Sequence, residues 1–531
     1  MSLAELGNQP GIVETIVRRC QYVSDPLQAF EMLCEKGKPS LLLESAEIES
    51  KDNLQSLLLV DAALRIECNG RTVICEALND NGASVLPLFR QHCPHGISIN
   101  EEGHTVTLNV PDTPSNFDED SRLKAVSVFD GLRTLLKSVC ALRDHPHSVF
   151  LGGAFAYDLL GSFENLPKVN VSENTCPDYV FYLAETLLIT NHKTQETELL
   201  GSVFSGEQVA QSYFSVSQKL EHISEQLSRL KSTEVLLTTN EPHSNCVRVD
   251  KSDAVFKQDV LHLKEHILAG DIFQVVPSRT FSLPCPSPRK SYAKLKQTNP
   301  SPYMFYLQDR DFSIFGASPE SALKYEKQSN QVEIYPIAGT RARGKRPDGS
   351  IDADLDSRVE LDLRNDDKEK AEHIMLVDLA RNDVAKVSQP GTRYVKDLLK
   401  VDRYSHVMHL VSRVVGQLRN DLDTLHAYQA CMNMGTLVGA PKISAASLIR
   451  EMEQKRRGSY GGAVGYINGR GDMDTCIVIR SAFVRNQTAY IQAGAGVVYD
   501  SDPQAEADET RSKAQAVVSA VQATNNTQEV A

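Results

Sequence analysis

The chain has 531 residues, of which 41% are hydrophobic and 24% are charged, and its formal net charge at pH 7 is −13. This composition is typical of a globular protein with several domains, and the negative charge disfavours nucleic acid and acidic membrane surfaces as partners. The N-terminus lacks the apolar core of a signal peptide, and no apolar run reaches the ~20 residues of a membrane span. The eleven cysteines are scattered without a CxxC pair, which predicts reduced thiols in a cytoplasmic protein.

Residues 1–232 are predicted to form a mixed α/β region. Four segments have the residue types or turn residues of β-strands: 39–45, 64–78 around Asn69-Gly70, 151–160 and 179–190. Apolar residues recur at helical spacing over 206–231, which predicts an amphipathic helix. Residues 233–249 are polar and without periodicity, which indicates a linker.

A second region is predicted over residues 250–522, followed by a polar tail at 523–531. Its first helix is expected to be capped by Ser252 and ended by Gly270. Strands are predicted at 271–279, twice within 298–321, and at 331–343, 407–416, 459–468, 475–483 and 490–499. Helices are predicted at 366–383, 443–453 and 503–521. Because strands and helices do not alternate regularly, the sequence favours an α+β fold over a doubly wound parallel sheet.

Two of these helices carry carboxylates at one-turn spacing. Glu369 and Glu372 share a face beside an apolar stripe, and Glu506, Glu509 and Lys513 share a face of the last helix. If the two helices face each other, the carboxylates could form an all-oxygen site suited to Mg²⁺. The alternative is a pair of surface helices with ion pairs such as Glu509 with Lys513, and spacing alone favours that alternative.

Two histidines lie in or beside the alternating strand at 407–416. A lone strand histidine such as His409 is more often structural than catalytic. His406 lies three positions earlier and would face the opposite side of a strand, so the two are not expected to form a metal pair.

Three segments could bind an anion. Arg480 is embedded in the apolar segment CIVIRSAFV, and a buried arginine needs an acceptor, so it gives the clearest physical hint of an anion site. Gly494-Ala495-Gly496 could offer bare amides to a carboxylate, although this pattern is weak. Gly339-Thr340, with Arg341 and Arg343, forms either an anion-binding loop or a solvated turn.

A long set of segments carries a family resemblance. Between residues 250 and 515 the chain contains, in order, QVVPSR, NPSPYMF, GASPES, PIAGTR, KEKAEHIMLVDLARND, MHLVS, LVGAPK, RRGSYGGAVGY, AGAGVV and ExxETxxKA. Together they resemble the chorismate-utilising enzymes, and LLLESAEI, SVFD and GGAFAYDLL extend the resemblance towards the N-terminus. Within the family the resemblance is greatest to component I, the large subunits of the anthranilate synthases of tryptophan biosynthesis. The resemblance implies large antiparallel β-sheets in a sandwich flanked by helices.

The resemblance also implies a substrate site. Glu372 and Glu509 match the family's Mg²⁺ ligands, which hold the ring carboxylate of chorismate, and Gly339 and Thr340 match the loop beside its ring. The enolpyruvyl carboxylate would meet Tyr460, Arg480, Gly494, Ala495, Gly496 and Lys513.

The implied reaction adds ammonia at C2 of chorismate with loss of the C4 hydroxyl, and then eliminates pyruvate to give anthranilate. His409 and Glu320 match positions near the reacting carbons and are the candidates for proton transfer, with Thr436 as a third catalytic candidate. Which residue acts at which step stays open, as do the roles of Glu369 and Lys442.

Two positions distinguish subfamilies. Ala338 stands where aminodeoxychorismate synthases carry a nucleophilic lysine, and Gln274 stands where isochorismate and salicylate synthases use a lysine base to activate water. The resemblance therefore favours addition of ammonia, while aminodeoxyisochorismate-type synthases, which stop after that addition, remain open.

The resemblance also implies two regulatory or supply partners. The chain has no GxCxG elbow followed by His-x-Glu, so a separate glutaminase subunit, component II, is expected to supply ammonia and to contact residues 1–232. LLLES and NPSPYMF match the family's feedback site for L-tryptophan, with four expected contacts: Ser45, Pro302, Tyr303 and Met304. For the neighbouring Phe305, core packing is the expected role.

Overall fold

The structure is a computed structural model that describes residues 3–45, 54–114, 116–230, 246–404 and 407–525. Within these ranges no helix has the length and apolar character needed to cross a membrane.

The strands are β1 Ile12–Cys20, β2 Ser40–Glu44, β3 Gln55–Asn69, β4 Thr72–Ala77, β5 Ser98–Glu102, β6 Thr105–Asn109, β7 Cys140–Ala141, β8 Phe150–Phe155, β9 Tyr179–Asn191, β10 Glu196–Phe204, β11 Arg248–Val249, β12 Gln274–Val275, β13 Ser278–Pro284, β14 Tyr303–Gln308, β15 Ser313–Ser318, β16 Ser321–Glu326, β17 Gln331–Ile334, β18 Ile337–Ala342, β19 Tyr394–Arg403, β20 Val407–Gln417, β21 Gly439–Ala440, β22 Ala463–Asn468, β23 Met473–Ile477, β24 Ser481–Arg485 and β25 Thr488–Gly494.

Several of the helices pack against these strands. The helices are α1 Leu3–Gly7, α2 Pro26–Leu33, α3 Asp80–Ala83, α4 Pro87–His92, α5 Glu119–Lys124, α6 Asp130–Ser138, a 3-10 helix at Tyr157–Ser162, α7 Val209–Ser228, α8 Asp253–Ala269, α9 Pro288–Thr298, α10 Ala353–Asn365, α11 Asp367–Val387, α12 Thr424–Cys431, α13 Lys442–Glu453 and α14 Pro503–Asn525.

Hydrogen bonds link most of the described strands into one extended sheet system with predominantly antiparallel pairing. The two predicted regions share this system, because β2 pairs with β14 and β8 pairs with β22. The antiparallel pairing and the separate placement of helices confirm the predicted α+β class. The pairing between β2 and β14 also sets the LLLES and NPSPYMF segments side by side.

Several local predictions are confirmed. The segment around Asn69-Gly70 forms the β3–β4 hairpin, and Gly70 takes the positive φ of 61° that such a tight turn requires. Helix α8 begins after Ser252, whose side chain accepts a hydrogen bond from the amide of Val255, and it ends at Gly270 with φ 83°. Local sequence signals are sufficient in both places because the turn and caps are satisfied by neighbouring residues.

Three predicted strands differ from the structure. The segment 475–483 is two strands, β23 and β24, and the interruption includes Arg480, whose φ is 49°. Arg480 is therefore not inside a strand, although its apolar neighbours resemble one. The segment 331–343 was expected to run into a loop at Gly339-Thr340, but those residues belong to β18 because they pair with β20. The segment 271–279 contains only the two-residue β12 and the start of β13.

The ends of the predicted regions also change. Helix α14 continues to Asn525, because Thr524 bonds to Ser291 and the Asn525 amide donates to the carbonyl of Pro284. The first residues of the predicted polar tail are therefore helical, and 526–531 lie outside the described residues. Most of the predicted linker 233–249 also lies outside them, and its end forms β11, which pairs with β13.

Candidate functional site

His409 is placed by the pairing of two strands. In the β18–β20 ladder His409 lies opposite Thr340, and the Thr340 hydroxyl is 2.9 Å from His409 Nδ1. The register of β18 shifts between Ala338 and Thr340, at Gly339, whose φ is 73°. A bulge re-aims the neighbouring side chains, and glycine adopts this conformation with little strain. The segment PIAGT thus orients a hydroxyl towards the imidazole.

Burial holds His409 neutral. The side chain is 8% exposed, and burial lowers its pKa to about 4. A hydrogen bond with the backbone of Gly339 favours the charged form, while the positive charge of Arg480 disfavours it. At pH 7 the neutral imidazole can therefore accept a proton.

The pKa of Glu320 is shifted in the opposite direction, upwards, by its environment. It is buried, and burial raises its pKa to about 8, while a hydrogen bond from Thr436 and the charge of Lys513 favour the ionised form. The Thr436 hydroxyl lies 3.2 Å from Glu320 Oε1. Glu320 is therefore largely protonated at pH 7 and can donate a proton. Two groups whose pKa values are pushed apart in this way are suited to base and acid roles.

Arg480 is held at the break between β23 and β24. Burial lowers its pKa, and the neighbours that favour its charge are Tyr460 and Glu509. Tyr460 is itself buried, and its pKa is raised to about 12 by burial. The guanidinium is therefore a partly desolvated cation with capacity for an anion.

Lys513 connects the last helix to the end of β25. Its ammonium donates to the carbonyl of Gly494 at 3.1 Å and pairs with Glu509 Oε1 at 2.5 Å. The predicted surface ion pair between Glu509 and Lys513 therefore exists, and both side chains remain partly exposed. The negative charge of Glu509 also favours the charged form of Arg480. Arg480, Lys513 and Glu509 therefore interact electrostatically as one group.

The backbone at 494–496 is only in part the cradle that the sequence suggests. The amide of Ala495 donates to the carbonyl of Pro277 at 3.1 Å, so it is already used and is not a free donor for an anion. A Cβ at Gly494 would lie 3.0 Å from the Tyr460 hydroxyl, and one at Gly496 would lie 2.8 Å from Gln274 Nε2. The glycines therefore allow Tyr460 and Gln274 to approach this strand end closely.

Helix α11 carries Glu369 and Glu372 as the sequence predicts. Its apolar stripe is packed, with Leu376 and Ala380 buried, and Glu372 is half-buried. Glu369 pairs with Arg341 at 2.9 Å, and its carboxylate would lie 3.1 Å from a Cβ at Gly339. Glu369 therefore has a defined structural partner beside the β18 bulge.

The Mg²⁺ expectation depends on two carboxylates. Among the described residues no three His, Cys, Asp or Glu side chains come together as a metal-binding group. Mg²⁺ is commonly held by one or two carboxylates together with substrate oxygens and water. Glu372 and Glu509 have the oxygen donors that Mg²⁺ takes alongside substrate oxygens and water, and their role as its ligands stays a prediction.

Comparisons with known proteins show the family to which the chain belongs. The pattern of the chorismate binding enzyme family matches residues 100–519. The chain belongs to this family. It is similar to anthranilate synthase component 1 of Vibrio parahaemolyticus, with 58% identity over 97% of this chain and 94% of that one. It is also similar to anthranilate synthase component 1 of Escherichia coli, with 52% identity over 98% of this chain and 99% of that one.

Solved structures support the same fold. The chain matches anthranilate synthase component I from Streptococcus pneumoniae with a TM-score of 0.66 and 27% identity, over 93% of this chain and 97% of that one. It matches a menaquinone-specific isochorismate synthase from Escherichia coli with a TM-score of 0.63 and 18% identity, over 98% of this chain and 97% of that one. The second likeness concerns the chorismate-binding fold alone.

A second feature of this family member is a large cavity of about 540 Å³. All four residues expected to contact tryptophan line it: Ser45, Pro302, Tyr303 and Met304. The pairing of β2 with β14 brings them together across the boundary that the sequence suggests. Phe305 is fully buried, which confirms its expected core packing, although it also borders the cavity.

Some residues near the site gave no usable sequence signal. Arg457 donates to both oxygens of Glu453 and to the carbonyls of Leu437 and Val276, and Glu453 accepts from Ser278. This fully buried pair ties together the segments that carry Thr436, Gln274 and Tyr460. In a sequence, an arginine four positions after a glutamate suggests an ordinary ion pair on the surface of a helix. Only the burial of Glu453 and Arg457 in the structure shows that this pair holds neighbouring segments together.

Three further positions that the family resemblance singles out are Lys442, His406 and Gln274. Lys442 pairs with the buried Asp383 at 2.7 Å and donates to the carbonyl of Met432, so its ammonium stabilises the junction of α11 and α13. His406 lies outside the described residues. Gln274 is buried, and its Oε1 has no hydrogen-bond partner among the described residues.

Proposed function

We propose that the chain converts chorismate and ammonia into anthranilate and pyruvate, as the chorismate-binding component of an anthranilate synthase. The observation that carries this proposal is that a neutral, buried His409 and a protonated, buried Glu320 occur in a chain that is 58% identical to an anthranilate synthase component 1. The reaction is a carbon–oxygen lyase reaction and the first committed step of tryptophan biosynthesis.

Chorismate is a dianion, and the proposed site supplies complementary charge. Arg480 and Lys513, with the Tyr460 hydroxyl, would receive the enolpyruvyl carboxylate, and Gly339 and Thr340 would border the ring. Mg²⁺ held by Glu372 and Glu509 would neutralise the ring carboxylate when bound. These local positive groups would overcome the chain's net charge of −13.

The protonation states of Glu320 and His409 support different roles for the two residues in the reaction. In the first half-reaction ammonia adds at C2 and the new ammonium group loses one proton to water, while protonated Glu320 would donate a proton to the C4 hydroxyl so that it departs as water. In the second half-reaction neutral His409 would take the C2 proton, the bond between the ring and the enolpyruvyl oxygen breaks, and the released enolpyruvate takes a proton from water at its methylene carbon to become pyruvate. Each group then begins its step in the protonation state that its environment favours.

The nitrogen source and the inhibitor follow from the family resemblance. Glutamine at position 274 cannot act as the lysine base that activates water, so ammonia is the proposed nucleophile. A glutaminase subunit would supply that ammonia, consistent with relatives named as component 1. Tryptophan would bind in the large cavity through Ser45, Pro302, Tyr303 and Met304 and inhibit the enzyme.

The test is direct. Purified chain incubated with chorismate, Mg²⁺ and ammonium should form anthranilate, which is detected by its fluorescence, together with one equivalent of pyruvate. A product that keeps the enolpyruvyl group would assign the chain to the aminodeoxyisochorismate branch. Absence of turnover with either ammonium or glutamine, with the glutaminase subunit present, would contradict the proposal.

A further inference from the structure

Tyr404 lies between the large cavity and His409. Its side chain lines the cavity, and its ring contacts the His409 ring edge-on, with centroids 5.2 Å apart and planes at 62°. Only 7% of Tyr404 is exposed. One aromatic ring therefore forms part of the cavity wall and part of the packing around the candidate base.

The backbone around this ring is fixed. The Tyr404 amide donates to the carbonyl of Val407 at 2.8 Å, and Arg343 donates to the Tyr404 carbonyl. Arg343 is itself held by Asp356 at 2.9 Å. A ligand that presses on Tyr404 would therefore change the position of the ring more readily than that of the chain.

Asp402 provides a second connection between the large cavity and His409. Asp402 of β19 is in register with His409 of β20, and Asp402 also lines the cavity. The hydroxyl of Tyr335, another cavity-lining residue, donates to Asp402. The cavity wall and the imidazole thus share both a ring contact and a strand pairing.

We propose that Tyr404 is a positioning residue for His409, and that tryptophan in the large cavity inhibits the reaction by altering the contact between the Tyr404 and His409 rings. This inference rests on the proposed function and deepens it, because it names the route from the effector to the reaction. The imidazole is held on one side by the Thr340 hydroxyl and on another by the Tyr404 ring. A displacement of ~1 Å in a catalytic group can cost ~100-fold in rate, so a small ring movement is sufficient.

Three variants separate this role from simple packing. Tyr404→Leu removes the ring contact, Tyr404→Phe keeps it, and Tyr325→Leu is the matched control. Tyr325 lines the same cavity, but its hydroxyl bonds to Asn330. Each variant is assayed for anthranilate formation with ammonium, for tryptophan binding by calorimetry, and for inhibition by tryptophan.

Tyr404→Leu should bind tryptophan within a few-fold of the unmodified chain, while its half-inhibitory concentration rises ~10-fold or more relative to its Kd. Its kcat should fall ~10-fold with little change in KM, because orientation of His409 is lost and substrate binding is not. Tyr404→Phe should restore both properties, and Tyr325→Leu should keep the normal ratio of inhibition to binding. A Tyr404→Leu chain that is inhibited in proportion to its tryptophan occupancy would overturn the proposal.

A spectroscopic readout separates failure of the coupling from failure of the proposed function. In protein labelled with ¹³C at histidine Cε1, the His409 signal is assigned by its loss in His409→Gln. Saturating tryptophan should shift this signal in the unmodified chain and in Tyr404→Phe, but not in Tyr404→Leu. A shift without any turnover of chorismate would refute the proposed activity and keep the coupling. An unmoved signal, or a chain that does not bind tryptophan, would overturn the coupling even if anthranilate forms, whether or not Tyr404→Leu folds.

Discussion

The His409 site, formed by His409, Glu320, Thr340, Arg480 and Lys513, differs from the large cavity in how its ionisable groups are held. In the His409 site burial keeps a histidine neutral and a glutamate protonated, so both are ready to exchange protons. In the large cavity two lining carboxylates, Glu333 and Glu44, are held in ion pairs. Arg413 pairs with Glu333 at 2.8 Å, and Glu44 accepts from Lys296 at 2.6 Å.

The difference predicts two kinds of mutational effect. A site that contains acid and base groups neutralised by burial should respond to substitution with changes in kcat, KM and pH dependence. A cavity whose charges are already compensated selects its ligand by shape and a few hydrogen bonds, so substitutions there should change the effector's affinity. The following experiments test whether the two regions can be separated in this way.

The largest effect is expected for Glu509→Gln. Loss of the negative oxygen removes a proposed Mg²⁺ ligand, so kcat/KM for chorismate should fall ~1,000-fold while tryptophan still binds the large cavity. Anthranilate fluorescence over a Mg²⁺ titration and calorimetry with tryptophan measure the two parts. The exposed neighbour Asp508, which pairs with Arg511, provides the control Asp508→Asn. Unaltered Mg²⁺-dependent activity in Glu509→Gln would refute the metal role.

The next effect is expected for Glu320→Gln. Glutamine keeps the shape of the protonated side chain but cannot donate the proton, so kcat should fall ~100-fold with a small change in KM. Because the pKa of Glu320 is about 8, the unmodified enzyme should lose the acid form, and with it activity, as pH rises through about 8. A pH profile of kcat checks this, with the exposed Glu451→Gln as control. If the loss of kcat at high pH persists unchanged in Glu320→Gln, that loss is due to the titration of another group.

Arg480→Lys tests the anion site. Lysine keeps the positive charge, and its backbone is as strained as that of arginine at a φ of 49°. It cannot, however, donate two parallel hydrogen bonds to one carboxylate as a guanidinium does. The KM for chorismate should rise ~10-fold to ~50-fold, with a smaller change in kcat. Steady-state kinetics measure both constants, and Arg485→Lys at the end of β24 serves as the comparison. An equal KM in both variants would exclude Arg480 as a carboxylate partner.

Ser45→Ala tests the large cavity. Removing one hydroxyl from its wall should raise the half-inhibitory concentration of tryptophan ~10-fold, because one polar contact is lost. The rate at each tryptophan concentration is compared with the uninhibited rate of the same variant. Ser228→Ala, exposed at the end of α7, is the control. Inhibition equal to that of the unmodified chain would remove Ser45 from the effector site.

The last effect concerns stability. The folded pKa of Glu320 lies above its ordinary value, so its contribution to the free energy of unfolding is complete below about pH 4.5 and is lost as pH rises through about 8. Each pKa unit corresponds to about 1.4 kcal/mol. Glu320→Gln should therefore raise Tm relative to the unmodified chain more at pH 9 than at pH 5. Scanning calorimetry at the two pH values measures the difference, and an equal Tm shift at both would contradict the burial of a proton on Glu320.

The sequence was a good guide wherever local residues satisfy one another. The Asn69-Gly70 hairpin, the Ser252 cap of α8 and the apolar stripe of α11 all depend on spacing within one element. The pairing of Glu509 with Lys513 is local in the same sense. The family resemblance then directed attention to His409 and Glu320, whose site roles remain proposals.

The sequence was a poor guide where partners are distant along the chain. Arg480 sits among apolar residues that resemble a continuous strand, and only the packing of β23 and β24 reveals its positive φ. The amide of Ala495 is used because β25 ends beside Pro277, more than two hundred positions earlier. The contact of Tyr404 with His409 depends on the pairing of β19 with β20 and has no sequence signature.

By itself, the sequence determined the α+β class, most element positions and membership of the chorismate-binding family, because these follow from periodicity, turn residues and long ordered motifs. Tertiary structure decided which amides are free, which carboxyl keeps its proton and which ring touches both the cavity and the imidazole. Those properties depend on burial and on neighbours brought together by strand pairing, and neither quantity is present in any single segment of the chain.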